Sequence, residues 1–181
     1  MGWLRNRTPG PPLPVTMAAV KLGERFLAVG VRDPGLIALL AAKTGLTGTA
    51  CAVDADEAAV KTAAASIEAA GALAEVTRAA WGRWPYADGS FDVALIRDLL
   101  PSLTLTDRTH CAAEVLRVLR PGGRALVIDG AERGRFAWLT GGSRTAPTEG
   151  SAVALKAAGF AAVRVLAERD GILYVEGIKK A

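Results

Sequence analysis

The first residues with types and spacing suited to chemistry are Gly30 and Asp54. Gly30 ends the apolar run 24–30, and Asp54 ends the apolar run 48–54, 24 residues after Gly30. A glycine lets the backbone approach a ligand, and a carboxylate at about this spacing can accept both hydroxyls of a ribose. The alternative role for Asp54 is to cap the next helix, for which Asp56 is better placed. By itself, this spacing allows a nucleotide- or dinucleotide-binding enzyme.

Other charged side chains gather in the predicted loops. Asp98 follows a predicted strand and could act as a general base if burial raises its pKa, or it could simply cap a helix. Guanidinium groups in such loops indicate an anionic ligand, a phosphate or a carboxylate, unless they point to solvent as surface arginines usually do. Six arginines fall in predicted loops or at strand ends: Arg32, Arg83, Arg97, Arg133, Arg135 and Arg144.

A third group of polar residues falls on one predicted helix, over 105–119. His110, Glu114 and Arg117 are four and three residues apart, so they share one helix face. The positions that we expect to face inward are Cys111, Val115, Leu116, Val118 and Leu119. We therefore place the three polar residues on the outer face and expect His110 to be dispensable.

The composition indicates one globular domain and excludes several function classes. The chain has 181 residues, of which 51% are hydrophobic and 22% charged. Its net charge is +4, but lysines and arginines are scattered, so we expect no nucleic-acid partner. A single histidine argues against a histidine-based metal site, and we expect no metal. Cys51 and Cys111 are expected to be reduced thiols of a cytoplasmic protein, with a disulfide as the alternative.

The N-terminal segment differs from the rest in composition. Residues 1–16 contain Pro9, Pro11, Pro12 and Pro14, which predicts a stiff, irregular arm before a single domain over 17–181. No apolar run follows the basic residues of this arm, so we expect no secretory signal. The chain also lacks a stretch of about 18 uncharged apolar residues, so we expect no membrane-spanning helix.

Strands and helices alternate along the chain. Asp33 followed by Pro34 starts one helix, Asp56 starts a second, and Asp170-Gly171 joins the last two strands as a hairpin. The alternation predicts a doubly wound α/β fold with seven strands, mostly parallel, in which the first lies beside the fourth and the last is antiparallel between its neighbours. The predicted strands are 24–30, 48–54, 73–79, 91–97, 124–130, 161–168 and 172–179.

Two segments resemble a known family. WPYADGSFDVALI resembles the LPF-x-DGSFD-x-V stretch of the methyltransferase type 11 group, and AAEVLRVLRPGGRALVID resembles its E-x-x-RVLKPGG-x-L-x-I stretch. The resemblance covers about residues 17–180. It implies a Rossmann-like class I fold, S-adenosylmethionine (SAM) as cofactor, methyl transfer to a small molecule, and a ribose bound by Asp54.

The resemblance also marks departures. The family's D-x-G-x-G-x-G positions are here Ala28, Gly30, Arg32 and Pro34, and its adenine-binding Asp is Ala80. The neighbouring Trp81 could stack on a purine or only pack within its loop. The resulting candidate cofactor residues are Gly30, Arg32, Asp54, Ala55, Ala80, Trp81 and Arg97.

Three hypotheses follow from the sequence. The first is a SAM-dependent methyltransferase for a small molecule. The second is a non-catalytic member that has lost SAM and binds another ligand, such as an anion, or a protein partner. The third is a nucleotide- or dinucleotide-binding enzyme, which the RVLRPGG segment and the terminal hairpin disfavour. The oligomeric state is left open by the sequence.

Overall fold

The computed structural model describes residues 10–130 and 147–181 of the chain. Three of the predicted loop arginines, Arg133, Arg135 and Arg144, lie outside the described residues, as do residues 1–9 of the N-terminal arm. The first helix, α1 (Leu13–Ala18), crosses the boundary that we predicted at residue 16.

The described residues form five α-helices and seven strands, with a short 3₁₀ turn at Leu100–Ser102. No helix within these residues is long and apolar enough to cross a membrane. After α1 the elements are β1 (Arg25–Val29), α2 (Pro34–Thr44), β2 (Thr49–Asp54), α3 (Glu57–Ala69), β3 (Glu75–Arg78), β4 (Phe91–Arg97), α4 (Leu105–Val118), β5 (Leu119–Gly130), α5 (Pro147–Ala158), β6 (Ala162–Arg169) and β7 (Ile172–Ile178).

The seven strands form one sheet in the order β3-β2-β1-β4-β5-β7-β6. The first five strands are parallel, and β7 runs antiparallel between β5 and β6. This confirms the predicted fold, including the placement of β1 beside β4 and of the last strand between its neighbours. The chain winds outward from β1 to β3 and then returns to the other side of β1, so the switch point lies between β1 and β4.

The predicted caps explain where two helices begin. The Asp33 carboxylate accepts a hydrogen bond from the backbone N–H of Leu36, and Pro34 occupies the first turn of α2. Asp56 accepts from the N–H groups of Ala58 and Ala59 at the start of α3. Because Asp56 fills the capping role, Asp54 is available for another.

The RPGG segment forms an irregularity at the start of β5 rather than a separate turn. Pairing between β4 and β5 shifts register between Phe91 and Val93. Gly122 has a φ of +73°, and a Cβ at Gly123 would lie 2.8 Å from the carbonyl oxygen of Arg120. A side chain at Gly123 would therefore collide with the backbone, which accounts for the glycine there.

Apolar side chains fill both faces of the sheet. Beneath α1, α2 and α3 the core includes Phe26, Leu40 and Ile67, and beneath α4 and α5 it includes Leu27 and Val115. The second layer also holds Cys51 and Cys111, which are buried and free. Burial raises the pKa of the Cys51 thiol to about 11 and that of Cys111 to about 12.

One sequence-based prediction is wrong. Glu114 does not lie on an outer face: it is 9% exposed, and its carboxylate accepts a hydrogen bond from the backbone N–H of Trp84 at 2.8 Å. Arg117 pairs with both oxygens of Glu114 at 2.8 Å and also donates to the carbonyl of Tyr86. The loop between β3 and β4 covers this polar face of α4, whereas the side chain of His110 is exposed.

Candidate functional site

The loops after β1 and β4 meet at the carboxyl edge of the sheet, beside the switch point. In open α/β sheets, ligands bind in the crevice outside the carboxyl ends of the strands at this point. The sequence placed Gly30 and Arg32 in the first loop, and Arg97 and Asp98 at the end of β4. The structure brings all four to this crevice.

Gly30 has the conformation that a glycine favours. Its φ is +83°, and its N–H donates to the carbonyl of Val53 at 2.8 Å, which joins the end of β1 to β2. A Cβ at Gly30 would lie 3.2 Å from Cδ2 of Leu99, in the loop after β4. Both the backbone angle and the close approach of Leu99 favour glycine at this position.

Asp54 is a buried carboxylate at the end of β2, 8% exposed. Its Oδ2 accepts a hydrogen bond from the backbone N–H of Val31, and its Oδ1 accepts one from that of Asp56, both at 3.0 Å. An ionised carboxylate has about four acceptor positions, so each oxygen keeps capacity for one more donor. Two vicinal hydroxyls of a ribose fit that remaining capacity.

Arg32 reaches from the first loop to the second. Its Nη2 donates to the hydroxyl of Ser102 at 2.8 Å, and that hydroxyl donates to the carbonyl of Leu99 at 2.7 Å. The Arg32 side chain therefore extends across the crevice, at a position where the resembling family has glycine.

Arg97 forms a second bridge between the loops. Its Nη1 lies 2.8 Å from Oδ2 of Asp33, and its Nε lies 3.4 Å from a carboxylate oxygen of Asp98. Between the ends of β1 and β4 and the start of α2, a cavity of about 10 Å³ remains. That is room for about one water molecule. The cavity is lined by Ala28, Gly30, Asp33, Leu36, Ile37, Leu95 and Arg97.

Asp98, the candidate base, has an unusual backbone. Its φ is +49°, in the left-handed region that non-glycine residues seldom adopt. Its Oδ1 accepts a hydrogen bond from the N–H of Gly130 at 2.6 Å, and its own N–H donates to the carbonyl of Ile128 at 2.9 Å. The side chain is 39% exposed, so this carboxylate is held at the sheet edge with access to solvent.

Asp129, at the same edge, was missed by the sequence analysis. It is 1% exposed, and the hydroxyl of Ser151 on α5 donates to its Oδ2. Its Oδ1 has no hydrogen-bond partner among the described residues. Burial raises the pKa of this carboxyl and the negative Asp98 raises it further, while the Ser151 hydrogen bond lowers it. An aspartate in an apolar strand carries no local sequence signal that would have revealed this pair.

The remaining candidates lie toward β3. The carbonyl of Ala55 accepts a hydrogen bond from Nε of Arg78 at 3.4 Å, and Ala79 N donates to the carbonyl of Asp54 at 2.9 Å. Ala80 is exposed and Trp81 is half-buried against the core. They follow β3, the strand beside Asp54 in the sheet, so this side could hold a base attached to a ribose at Asp54.

A family model for a methyltransferase domain matches residues 27–127. No curated protein sequence matches the chain. The fold is similar to that of a SAM-dependent methyltransferase from Aquifex aeolicus, with a TM-score of 0.74, 21% identity, and 91% of this chain and 87% of that one covered.

Two further solved structures share the fold. A SAM-dependent methyltransferase from Methanosarcina mazei has a TM-score of 0.65, 19% identity, and covers 94% of this chain and 98% of its own. The [4+2]-cyclase SpnF has a TM-score of 0.69, 19% identity, and covers 93% of this chain and 80% of its own. At these identities the likeness shows the fold alone.

Proposed function

Since the chain belongs to this family of methyltransferase domains, we propose that it binds SAM and transfers its methyl group to a small molecule. The observation that carries the proposal is Asp54. It is a buried carboxylate at the end of β2, oriented by two backbone N–H groups and left with one acceptor position on each oxygen. The adjacent capping role belongs to Asp56, and the two backbone hydrogen bonds of Asp54 leave its remaining acceptor positions to a ligand.

The residues fit the two halves of the cofactor differently. Asp54 would hold the ribose, Gly30 would let the backbone approach it, and Ala55, Ala80 and Trp81 would flank the base. The amino-acid half would have to lie near Arg32 and Arg97, one of which would bind its carboxylate through charge-assisted hydrogen bonds. In the structure Arg32 bonds Ser102 and Arg97 bonds Asp33 instead.

When bound, SAM supplies an electrophilic methyl group on a sulfonium. The chain would contribute positioning of the acceptor along the methyl–sulfur axis, which is the main requirement when the acceptor is electron-rich. Asp98, oriented by Gly130 N–H and partly exposed, would accept a proton from an acceptor that needs deprotonation. The arginines at the crevice favour an anionic acceptor. We place the protein in the cytoplasm, where its buried free thiols stay reduced.

One observation favours a second candidate, a non-catalytic domain of the same fold. The loops at the crevice are bridged twice, by Arg32–Ser102 and Asp33–Arg97, and the cavity beside Arg97 is only about 10 Å³. If the bridges are permanent, SAM cannot enter and the domain binds another ligand. The fold also accommodates chemistry other than methyl transfer, since the similar SpnF is a [4+2]-cyclase.

Calorimetric titration with SAM and S-adenosylhomocysteine tests the proposal. We expect both to bind the wild-type chain and to bind Asp54→Asn much more weakly. Asp88→Asn is the control, because Asp88 is an exposed aspartate that pairs with Arg117 and precedes the start of β4, whereas the crevice lies at the end of that strand. Heat changes no greater than dilution with either ligand at millimolar concentration would contradict the proposal and leave the second candidate.

A further inference from the structure

We infer that Asp33–Arg97 and Arg32–Ser102 form a latch that closes the amino-acid half of the cofactor site without involving Asp54. The inference rests on the proposed function, because it takes Asp54 as the ribose site. It assigns to these four residues a role in ligand selection. In the closed form the chain binds adenosine compounds without an amino-acid tail, and compounds with the tail bind only when the latch opens.

The two bridges cross the crevice where the tail must pass. The ion pair joins Asp33, in the loop after β1, to Arg97, at the end of β4, with 2.8 Å between Nη1 and Oδ2. The hydrogen bond joins Arg32, in the same loop as Asp33, to Ser102, in the loop after β4, also at 2.8 Å. The β1 and β4 strands are neighbours, and their loops diverge at the switch point, so these contacts close the ligand crevice.

The fold does not depend on either bridge. Asp33 caps α2 with Oδ1, whereas Oδ2 faces Arg97, so the helix keeps its cap when the ion pair breaks. The Arg32–Ser102 bond is exposed, and Ser102 keeps its own bond to the carbonyl of Leu99. A contact that the core does not need, and that spans a ligand crevice, is free to open.

The chemistry of the ion pair fits an exchange of partners. The carboxylate of Asp33 holds the guanidinium of Arg97 as the carboxylate of an amino-acid tail would. When the latch opens, a ligand carboxylate can take the place of Asp33 on Arg97. The ribose site lies outside the latch: Asp54 is anchored by the N–H groups of Val31 and Asp56, and neither bridge involves it.

Partly exposed contacts of this kind are weak, so the closed form is only slightly more stable than the open form. The side chains of Arg97 and Asp33 are 28% and 36% exposed. Two such contacts together hold the open form at roughly a tenth of the population. A ligand that needs the open form then binds about tenfold more weakly than it would to an unlatched chain.

The test compares two ligands on two chains. The probes are S-adenosylhomocysteine, which has the amino-acid tail, and 5′-methylthioadenosine, which lacks it. The variant is Asp33→Asn with Ser102→Ala, which breaks both bridges, leaves both arginines in place, and keeps the α2 cap because asparagine caps as well as aspartate. We expect S-adenosylhomocysteine to bind the variant about tenfold more tightly than wild type, and 5′-methylthioadenosine to bind both within twofold.

Asp88→Asn with Ser90→Ala makes the same chemical changes at Asp88, paired with Arg117, and at Ser90, bonded to the carbonyl of Ala87. This control should change neither affinity. Unchanged or weaker binding of S-adenosylhomocysteine to the latch variant, with clear binding to wild type, would overturn the latch and leave the proposed function standing. Failure of both ligands on every chain would overturn both.

Discussion

The carboxylate of Asp54 accepts a hydrogen bond from the backbone N–H of Val31, at 3.0 Å. This bond ties the loop after β1 to the end of β2, so one contact sets the positions of both the candidate ribose-binding carboxylate and that loop. A substitution at Asp54 is therefore expected to affect the loop as well as the proposed ligand.

The first prediction separates these two effects. Asp54→Ala and Asp54→Asn should both weaken binding of S-adenosylhomocysteine by about 2–4 kcal/mol, because two charge-assisted bonds to the ribose are lost. Asp54→Ala should also lower the free energy of unfolding by roughly 1–3 kcal/mol, since the N–H groups of Val31 and Asp56 lose their acceptor. Asp54→Asn keeps one acceptor oxygen, so its free energy of unfolding should fall by less than that of Asp54→Ala. Calorimetry and urea unfolding measure the two quantities, and an unchanged dissociation constant would remove Asp54 from the site.

The second prediction concerns acid stability through Asp92. Burial alone would raise the pKa of Asp92, but hydrogen bonds from the side chain and N–H of Arg25, and from Arg120, outweigh it and lower the pKa to about 2. Since the folded pKa lies below the unfolded one, the stabilisation is present above about pH 4 and is lost as the pH falls toward 2. It amounts to about 2 kcal/mol.

Asp92→Asn should therefore be less stable than wild type at pH 6, and the difference should shrink as the pH falls from 4 to 2. Urea unfolding at several pH values measures it. A difference that stays constant over that range would show that the ion pairs of Asp92 with Arg25 and Arg120 do not set its titration.

The third prediction concerns Asp129, whose pKa is raised rather than lowered, so its contribution to stability depends on pH in the opposite direction from that of Asp92. Burial raises the pKa of Asp129, so the folded chain holds that proton more tightly than the unfolded chain does. Protonated Asp129 therefore favours the folded state at low pH. This contribution to the free energy of unfolding is lost as the pH rises through the folded pKa. Asp129→Asn removes the cost of burying an ionised carboxylate, and its side-chain oxygen still accepts a hydrogen bond from the Ser151 hydroxyl.

At pH 8 we expect Asp129→Asn to unfold at the same or a higher temperature than wild type. Ser151→Ala, which removes the hydrogen bond to the buried carboxylate, should unfold at a lower one, with a loss of about 1–3 kcal/mol. Thermal unfolding at pH 5 and pH 8 measures both. A marked loss of stability in Asp129→Asn would mean that the charge itself has a partner.

The fourth prediction is that His110 is dispensable. Its side chain is exposed, and it lies near Gly82, where an added Cβ would be 3.3 Å from Nδ1 of the imidazole. His110→Ala should change the free energy of unfolding by less than about 0.5 kcal/mol and leave ligand binding unchanged. Loss of an activity with the fold intact would mean that the imidazole takes part in it.

The fold was predictable because local patterns determine it. The capping residues Asp33 and Asp56, the glycines after strands, and the alternation of apolar runs with helices each act over a few residues. Together they allow few topologies, and the hairpin around Asp170-Gly171 limits these further. The position of Asp54 at the end of β2 followed from the same patterns.

The contacts within the site depend on distant pairs, which periodicity does not reveal. Helical spacing correctly grouped Glu114 with Arg117, but it could not show that a loop 30 residues earlier would cover that face and bond Glu114 through Trp84. The pairing of Asp33 with Arg97 joins residues from two different loops. Such contacts exist only after the sheet has brought the strand ends together.

The last prediction concerns Arg32, which stands where the resembling family has glycine. Its guanidinium reaches across the crevice to Ser102, and under the proposed function the side chain would occupy space that the amino-acid half of SAM needs. Arg32→Gly should therefore tighten S-adenosylhomocysteine binding about three- to tenfold, because it removes one exposed hydrogen bond and the bulk of the arginine side chain. Arg32→Ala, which also lacks the guanidinium, should do the same and shows that the effect does not come from added backbone freedom at a glycine. Titrations at low and moderate salt measure the affinities. Binding that instead weakens by roughly 1.5–3 kcal/mol in both variants would mean that Arg32 holds the ligand carboxylate and that the crevice is already open to SAM.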